Sequence, residues 1–300
     1  MAQFLGTGDG THEEERSARL QVVGVDGSDC STQALRWAAA RRELLGDVEP
    51  IVAWQYPWWA FVPTATGTIT PPGRGHFEDI AGRLAANVLD RLDSSTFREP
   101  VVVHGSAGPA LVAAGERASL VVVGSRGRNA VASRVLGSVG AHCVHHATVP
   151  VAIVPPGAHV DARFQRVVVG VDGSEYGAAA LWWAMANTPA SSEIVVMNVW
   201  RSDVVNPELA GTAAALFRAE SEQLVAATIE GVADRAARDS RTISGHTESG
   251  DPRNRLRSEA EEADLLVVGA RGTGLLEHLF LGSVASSLAN QPLAPTVIVR

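Results

Sequence analysis

The feature that most limits what this chain can become is that it is written twice. VVGVDGS occurs at Val22–Ser28 and again, letter for letter, at Val168–Ser174. Further on, VVVGSRGRNAVASRVLGSV (residues 121–139) is answered by LVVGARGTGLLEHLFLGSV (residues 266–284). Each of these is an apolar run, Gly-x-x-Gly, nine residues, then Gly-Ser. Trp183 answers Trp37, Trp200 answers Trp54, and APTVIV at Ala294–Val299 answers VPVAIV at Val149–Val154. The period of about 145 residues is too long for a solenoid repeat. A duplicated domain is the reading: 1–18 a disordered tail, 19–155 the first domain, 156–164 a linker and 165–300 the second domain.

Both repeated stretches carry ligand chemistry. Val121–Val123 and Leu266–Val268 are short, β-branched and bounded by Gly, which suits a buried parallel strand. Glycine directly after such a strand lets the backbone turn sharply and approach a ligand with no Cβ in the way. Gly-Ser then opens a helix, whose N-terminus favours phosphate, and the Ser138 or Ser283 hydroxyl adds a further hydrogen bond. The expected phosphate cradles are Gly124, Ser125, Arg126, Gly127, Gly137 and Ser138 in the first half. In the second they are Gly269, Ala270, Arg271, Gly272, Gly282 and Ser283. Arg126 and Arg271 read equally well as phosphate partners or as solvated side chains. In VVGVDGS, Gly24 and Gly170 end the strand, and Asp26 and Asp172 lie just past it, a frequent place for ligand contact in open α/β sheets. Asp is also an ordinary helix N-cap. Ser28 and Ser174 are better placed to cap, which would leave the aspartates freer for a ligand. A Gly-x-Gly-x-x-Gly dinucleotide fingerprint is absent.

Composition closes several routes. Net charge is −8, which argues against a nucleic-acid surface. All 25 basic residues are arginine, so a Walker A lysine and lysine Schiff-base chemistry are excluded. Cys30 and Cys143 have neither CxxC nor disulfide spacing, so a cytoplasmic setting is expected. No run reaches the roughly 18 apolar residues of a membrane span. Residues 1–18 lack the apolar core of a signal peptide. His142, His145 and His146 read as a half-exposed helix face, with no metal expected. Trp58 and Trp59, in a Pro-rich loop, read as packing under that loop.

In chain order the first half reads as strand Leu20–Val25, a helix, strand Ile51–Trp54, a helix from about Phe77 to Leu92 and strand Val101–His104. A short helix, strand Leu120–Val123, helix Ser138–His146 and strand Val151–Val154 follow. This alternation calls for a parallel sheet with helices on both faces. From Pro109 to Gly124 there are two fewer residues than from Pro252 to Gly269, so the helix before the fourth strand is expected to be shorter in the first half.

On VVGVDGS after the first strand and Gly-x2-Gly-x9-Gly-Ser after the fourth, in both halves, the chain resembles a tandem universal stress protein of the ATP-binding branch. The resemblance covers Leu20 to Arg300. It implies two tandem open parallel five-stranded sheets, Rossmann-like, each of order 3-2-1-4-5. That order puts both motifs at the topological switch point. It further implies ATP, with or without magnesium, as ligand. Asp26 and Asp172 would then lie at the adenosine, the backbones of Ala53 and Val199 at the adenine, and the two cradles at the phosphates. The function implied is a nucleotide-dependent regulatory module in stress or dormancy response, acting on an unidentified protein partner and without a catalytic constellation. A slow ATPase or a nucleotidyl-transfer enzyme on the same fold is the alternative. The fifth strands, Val151–Val154 and Thr296–Val299, are short, apolar sheet edges without protecting charges. They are expected to pair with each other about a pseudo-twofold axis, and the same surfaces to support a homodimer of chains.

Overall fold

A computed structural model describes residues 19–56, 74–127, 136–160, 163–201, 207–273 and 281–300. The tail 1–18, Trp58, Trp59 and most of both nine-residue spacers lie outside the described residues. The first half contains β1 (Leu20–Gly24), α1 (Asp29–Ala39), α2 (Arg42–Leu45), β2 (Asp47–Trp54) and α3 (Arg74–Leu89). It continues with β3 (Val101–His104), α4 (Ala107–Gly115), β4 (Leu120–Gly124), α5 (Ser138–His146) and β5 (Val151–Val154). The second half contains β6 (Arg166–Gly170), α6 (Glu175–Asn187), β7 (Glu193–Trp200), α7 (Pro207–Glu230) and α8 (Ala233–Arg238). It ends with β8 (Ile243–Ser249), α9 (Pro252–Ala260), β9 (Leu265–Gly269), α10 (Ser283–Asn290) and β10 (Thr296–Val299).

All ten strands join one sheet, in the order β3-β2-β1-β4-β5-β10-β9-β6-β7-β8. Within each half the neighbours are parallel and the order is 3-2-1-4-5, as expected. The halves meet where β5 and β10 run antiparallel, Val151 opposite Ile298, Ala152 opposite Val297 and Ile153 opposite Thr296. The repeat aligns Val151 with Thr296 and Ile153 with Ile298, so these pairs exchange about an axis through Ala152 and Val297. The expected pairing of the fifth strands is therefore present. It also corrects the expectation of a homodimer through the same edges. Both edges are consumed inside the chain, and the sheet now ends at β3 and β8.

The inner strands are largely apolar on both faces because helices cover both, whereas the edge strand β8 (ISGHTES) is mostly polar. One core carries Val23, Val122, Ala152, Val297, Val267 and Val169 with side chains from α1 and α6. The other carries Val22, Val121, Ile153, Ile298, Leu266 and Val168 with side chains from α4, α5, α9 and α10. Each core runs without a break across the join.

Three local expectations are corrected. β2 begins at Asp47, four residues before the expected Ile51, with Pro50 inside it. Pro cannot donate to a ladder, and it is accommodated because β3 pairs only with Ile51–Trp54, leaving β2 one strand neighbour at Pro50. The long helix runs from Arg74 to Leu89, three residues ahead of the expected span. The helices before β4 and β9 are equal, nine residues each. The two-residue difference is in the proline: Pro252 is the first helical residue and Pro109 the third. Both positions are in the first turn, where the missing N–H costs nothing.

The chain between the halves is pinned. Phe164 is buried against Trp37, ring centroids 6.1 Å apart. Arg41 lies over both rings, at 4.7 and 4.5 Å, and donates to the carbonyls of His159 and Val160. Trp37 is fully buried by this arrangement, whereas its counterpart Trp183 is only half-buried.

Candidate functional site

β1 and β4 are neighbours, as are β6 and β9, so each repeated motif pair comes together at the C-terminal end of the sheet. In the first half, the Ser125 N–H donates to the Val154 carbonyl at 2.9 Å, and the Ser125 carbonyl accepts from Gly137 N–H at 3.0 Å. In the second, Ala270 N–H donates to the Val299 carbonyl at 2.6 Å and its carbonyl accepts from Gly282 N–H at 2.7 Å. The two Gly-Ser segments are thus bonded back onto the loops that follow β4 and β9. The described residues of each Gly-x-x-Gly loop and its Gly-Ser segment thus come together in the same way in both halves.

The glycines have different reasons for being glycine. A Cβ at Gly124 would lie 2.7 Å from the Cys30 backbone, and one at Gly269 2.7 Å from that of Tyr176. Those two let the first turns of α1 and α6 press onto the strand ends. Gly24 and Gly170 face Leu111 and Leu256, at 2.8 and 3.0 Å from a Cβ, and packing alone accounts for them. A Cβ at Gly127 would sit 2.8 Å from Asp26 Oδ2, and one at Gly272 2.2 Å from Asp172 Oδ2. Gly137 and Gly282 are different. Their φ values are −64° and −70°, which any residue adopts. The nearest protein atoms to a Cβ there are 3.6 and 3.4 Å away. Among the described residues nothing requires glycine at these two positions.

Gly137 and Gly282 are also the N-caps of α5 and α10, and neither helix has a side-chain cap. The first intrahelical bonds are Ala141 N–H to the Gly137 carbonyl and Ser286 N–H to the Gly282 carbonyl, each 2.9 Å. The preceding N–H groups of each first turn have no intrahelical acceptor. The Ser138 and Ser283 side chains are exposed beside them. Such an end can take an anion.

Ser28 and Ser174 do cap: their hydroxyls accept from Ser31 N–H at 3.2 Å and Gly177 N–H at 3.1 Å. The aspartates are nevertheless engaged, contrary to the expectation that capping by serine would release them. Asp26 Oδ1 accepts from Ser28 N–H at 2.9 Å. Asp172 Oδ1 accepts from both the N–H and the hydroxyl of Ser174, at 3.1 and 2.6 Å, and its Oδ2 from Thr273 N–H at 2.9 Å. Each aspartate is thus an Asx turn into the following helix. Asp172 also clamps the second glycine loop. Ala53 and Val199 lie half-buried at the ends of β2 and β7. Val25 and Val171, just before the aspartates, donate to the Ile51 and Met197 carbonyls at 2.9 Å.

Sequence reading missed Asn198 and Tyr176. Buried Asn198 donates to the Val171 carbonyl and accepts from Ser221, both at 2.7 Å, tying the strand end beside Asp172 to α7. Its signal was a lone amide in the apolar run IVVMNVW. Arg271 is half-buried, its guanidinium 5.7 Å from the Tyr176 ring centroid. His142 and His146 have ring centroids 4.4 Å apart on α5. Among the described residues no group of three or more His, Cys, Asp or Glu gathers to hold a metal. No helix among the described residues is long and apolar enough to cross a membrane.

Known proteins share this two-domain architecture. The universal stress protein family matches residues 21–155 and again 163–300. A universal stress protein of Mycobacterium tuberculosis is 32% identical over 298 residues, spanning 93% of this chain and 95% of its own. A second, from Mycobacterium bovis, is 28% identical over 304 residues, spanning 93% and 94%. The crystal structure of a universal stress protein from Archaeoglobus fulgidus superposes with a TM-score of 0.65 at 21% identity, covering 95% of this chain and 97% of that one. Both halves carry the family's pattern, and the chain belongs to the universal stress protein family.

Proposed function

We propose that each half binds ATP at its glycine cradle, and that occupancy makes the protein a nucleotide-dependent regulatory module in the stress response, not an enzyme. The observation that carries this reading is the third glycine of each cradle. Among the described residues neither packing nor backbone conformation demands glycine at Gly137 or Gly282, yet both are glycine at a helix N-terminus without a side-chain cap. A ligand approaching the backbone accounts for that. The phosphates would lie on the N–H groups of α5 and α10 with Ser138 and Ser283. Arg126 and Arg271 would supply positive charge, and a magnesium ion would share the rest. The adenosine end would lie toward Asp26 with Ala53, and toward Asp172 with Val199. What such a protein passes on is a changed surface for a protein partner.

The test is Gly137→Ala with Gly282→Ala. The nucleotide-free variant should melt within about 4 °C of the parent, because each N-cap Gly-to-Ala change costs only tenths of a kcal/mol to about 1. Its ATP affinity by calorimetry should fall at least about tenfold. Unchanged affinity in the folded variant overturns the cradle assignment. ATP turnover by the parent protein should stay below about one per minute, under the usual enzymatic range. Faster turnover overturns the regulatory reading in favour of an ATPase.

A further inference from the structure

The three histidines of α5 have no part in either cradle. His142 and His146 are four residues apart on one helix, so their side chains share a face. Their ring centroids are 4.4 Å apart, with the rings tilted by 37°. His145 stands aside, its ring centroid 6.4 Å from that of His146. His142 is half-buried and His146 is exposed. The second residue of α4 holds the inner ring in place. A Cβ at Gly108 would lie 2.8 Å from Cβ, Cγ and Cδ2 of His142, so glycine there is what lets the imidazole stand against α4. The second half has no such pair. By the repeat, Ser287, Asn290 and Gln291 take the places of His142, His145 and His146, and Arg253 takes that of Gly108.

We propose that His142 and His146 form a two-imidazole chelate for a divalent transition-metal ion such as zinc. The i, i+4 spacing on one helix face is the one by which helical zinc motifs present two histidines to a single ion. An imidazole nitrogen binds zinc at about 2.1 Å, which puts two imidazoles on one tetrahedral ion with centroids roughly 5 Å apart. The observed separation is within about 1 Å of that, so a small side-chain rotation closes the chelate. His146 is the last residue of α5, where the helix dipole favours a cation. Imidazole suits zinc, copper and nickel, whereas magnesium and calcium take oxygen ligands. The site therefore differs in chemistry from a magnesium ion at the phosphates, and it stands or falls independently of nucleotide binding. Among the described residues no set of three or more ligand side chains gathers around the pair. Water completes the coordination shell, and the ion exchanges with solvent instead of holding the fold together.

The test is zinc chloride titrated calorimetrically into the nucleotide-free full chain near neutral pH. One zinc should bind per chain with a Kd of about 10 μM or tighter. His142→Gln and His146→Gln should each weaken it at least about tenfold, and His145→Gln should leave it within about twofold. Magnesium chloride in about hundredfold excess should not displace the zinc. Melting curves give a second readout: saturating zinc should raise the melting temperature of the parent and not that of His146→Gln, whose exposed side chain leaves the zinc-free fold unchanged. Absence of zinc binding overturns the proposal. So does an affinity unchanged in both His142→Gln and His146→Gln, which would place zinc elsewhere and leave the two rings a packing pair. Displacement by magnesium overturns the imidazole chelate in favour of an oxygen-lined site. A tenfold loss in His145→Gln as well overturns the two-residue chelate in favour of a three-histidine site.

Discussion

The Asp172 carboxylate accepts the Thr273 N–H at 2.9 Å, a contact between residues 101 apart in sequence. It fastens the end of β6 to the loop after β9, across the switch point of the second half. The same carboxylate holds both the N–H and the hydroxyl of Ser174. It therefore sets the entry to α6 and the position of the glycine loop together.

Asp172→Ala removes the acceptor of three hydrogen bonds. It should destabilise the nucleotide-free protein by about 2 kcal/mol, since bonds to a charged group are each worth about that and this one is half-exposed. The melting temperature should fall by about 3 °C or more. Asp172→Asn retains one acceptor oxygen and should lose less. Scanning calorimetry without nucleotide decides it. An unmoved melting temperature would show that the carboxylate serves a ligand alone.

That contact also marks where the sequence stopped being legible. Strand order, the convergence of both motifs and the pairing of β5 with β10 followed from repeated motifs, the family resemblance and two bare apolar edges. The role of Asp172 did not, because its second partner is an N–H that only the tertiary fold delivers. The lengths of α4 and α9 were misjudged because proline position was taken as helix start, when Pro109 stands two residues further into the first turn. Phe164 gave no hint that it would cover Trp37, since their contact joins the linker to α1.

The buried Cys143 thiol gives a pH dependence. Burial pushes its pKa from 9.0 up to about 12. The folded protein then keeps the proton over a range where the unfolded chain has released it. Stability from this group is complete below pH 9 and declines above it, by about 1.4 kcal/mol per pH unit at most, until the folded thiol ionises near 12. Absence of lysine keeps this window unusually clear. Denaturant unfolding from pH 8 to 11 should show the decline, and Cys143→Ala should flatten it while costing about 1 kcal/mol at pH 8. An equal slope in the variant would assign the alkaline loss elsewhere.

The antiparallel join makes the last prediction. Ile153 and Ile298 are fully buried on the same face, each related to the other by the pseudo-twofold axis through Ala152 and Val297. Ile153→Lys with Ile298→Lys places an ammonium in that core from each side, and an unpaired buried charge costs several kcal/mol. Ile153→Thr with Ile298→Thr is the milder form, burying only two hydroxyls. If the join holds the halves together, the Thr pair should speed amide exchange in Val151–Val154 and Thr296–Val299 ahead of β1 and β6. The Lys pair should separate one cooperative melting transition into two. The linker should become easier to cleave in both, because Phe164 leads directly into β6 and its contact with Trp37 ties the second half to α1. Exchange that changes equally in every strand would mean the two halves unfold as one unit whatever the state of the join. Unchanged exchange in both variants would mean that the β5–β10 ladder contributes nothing to their association.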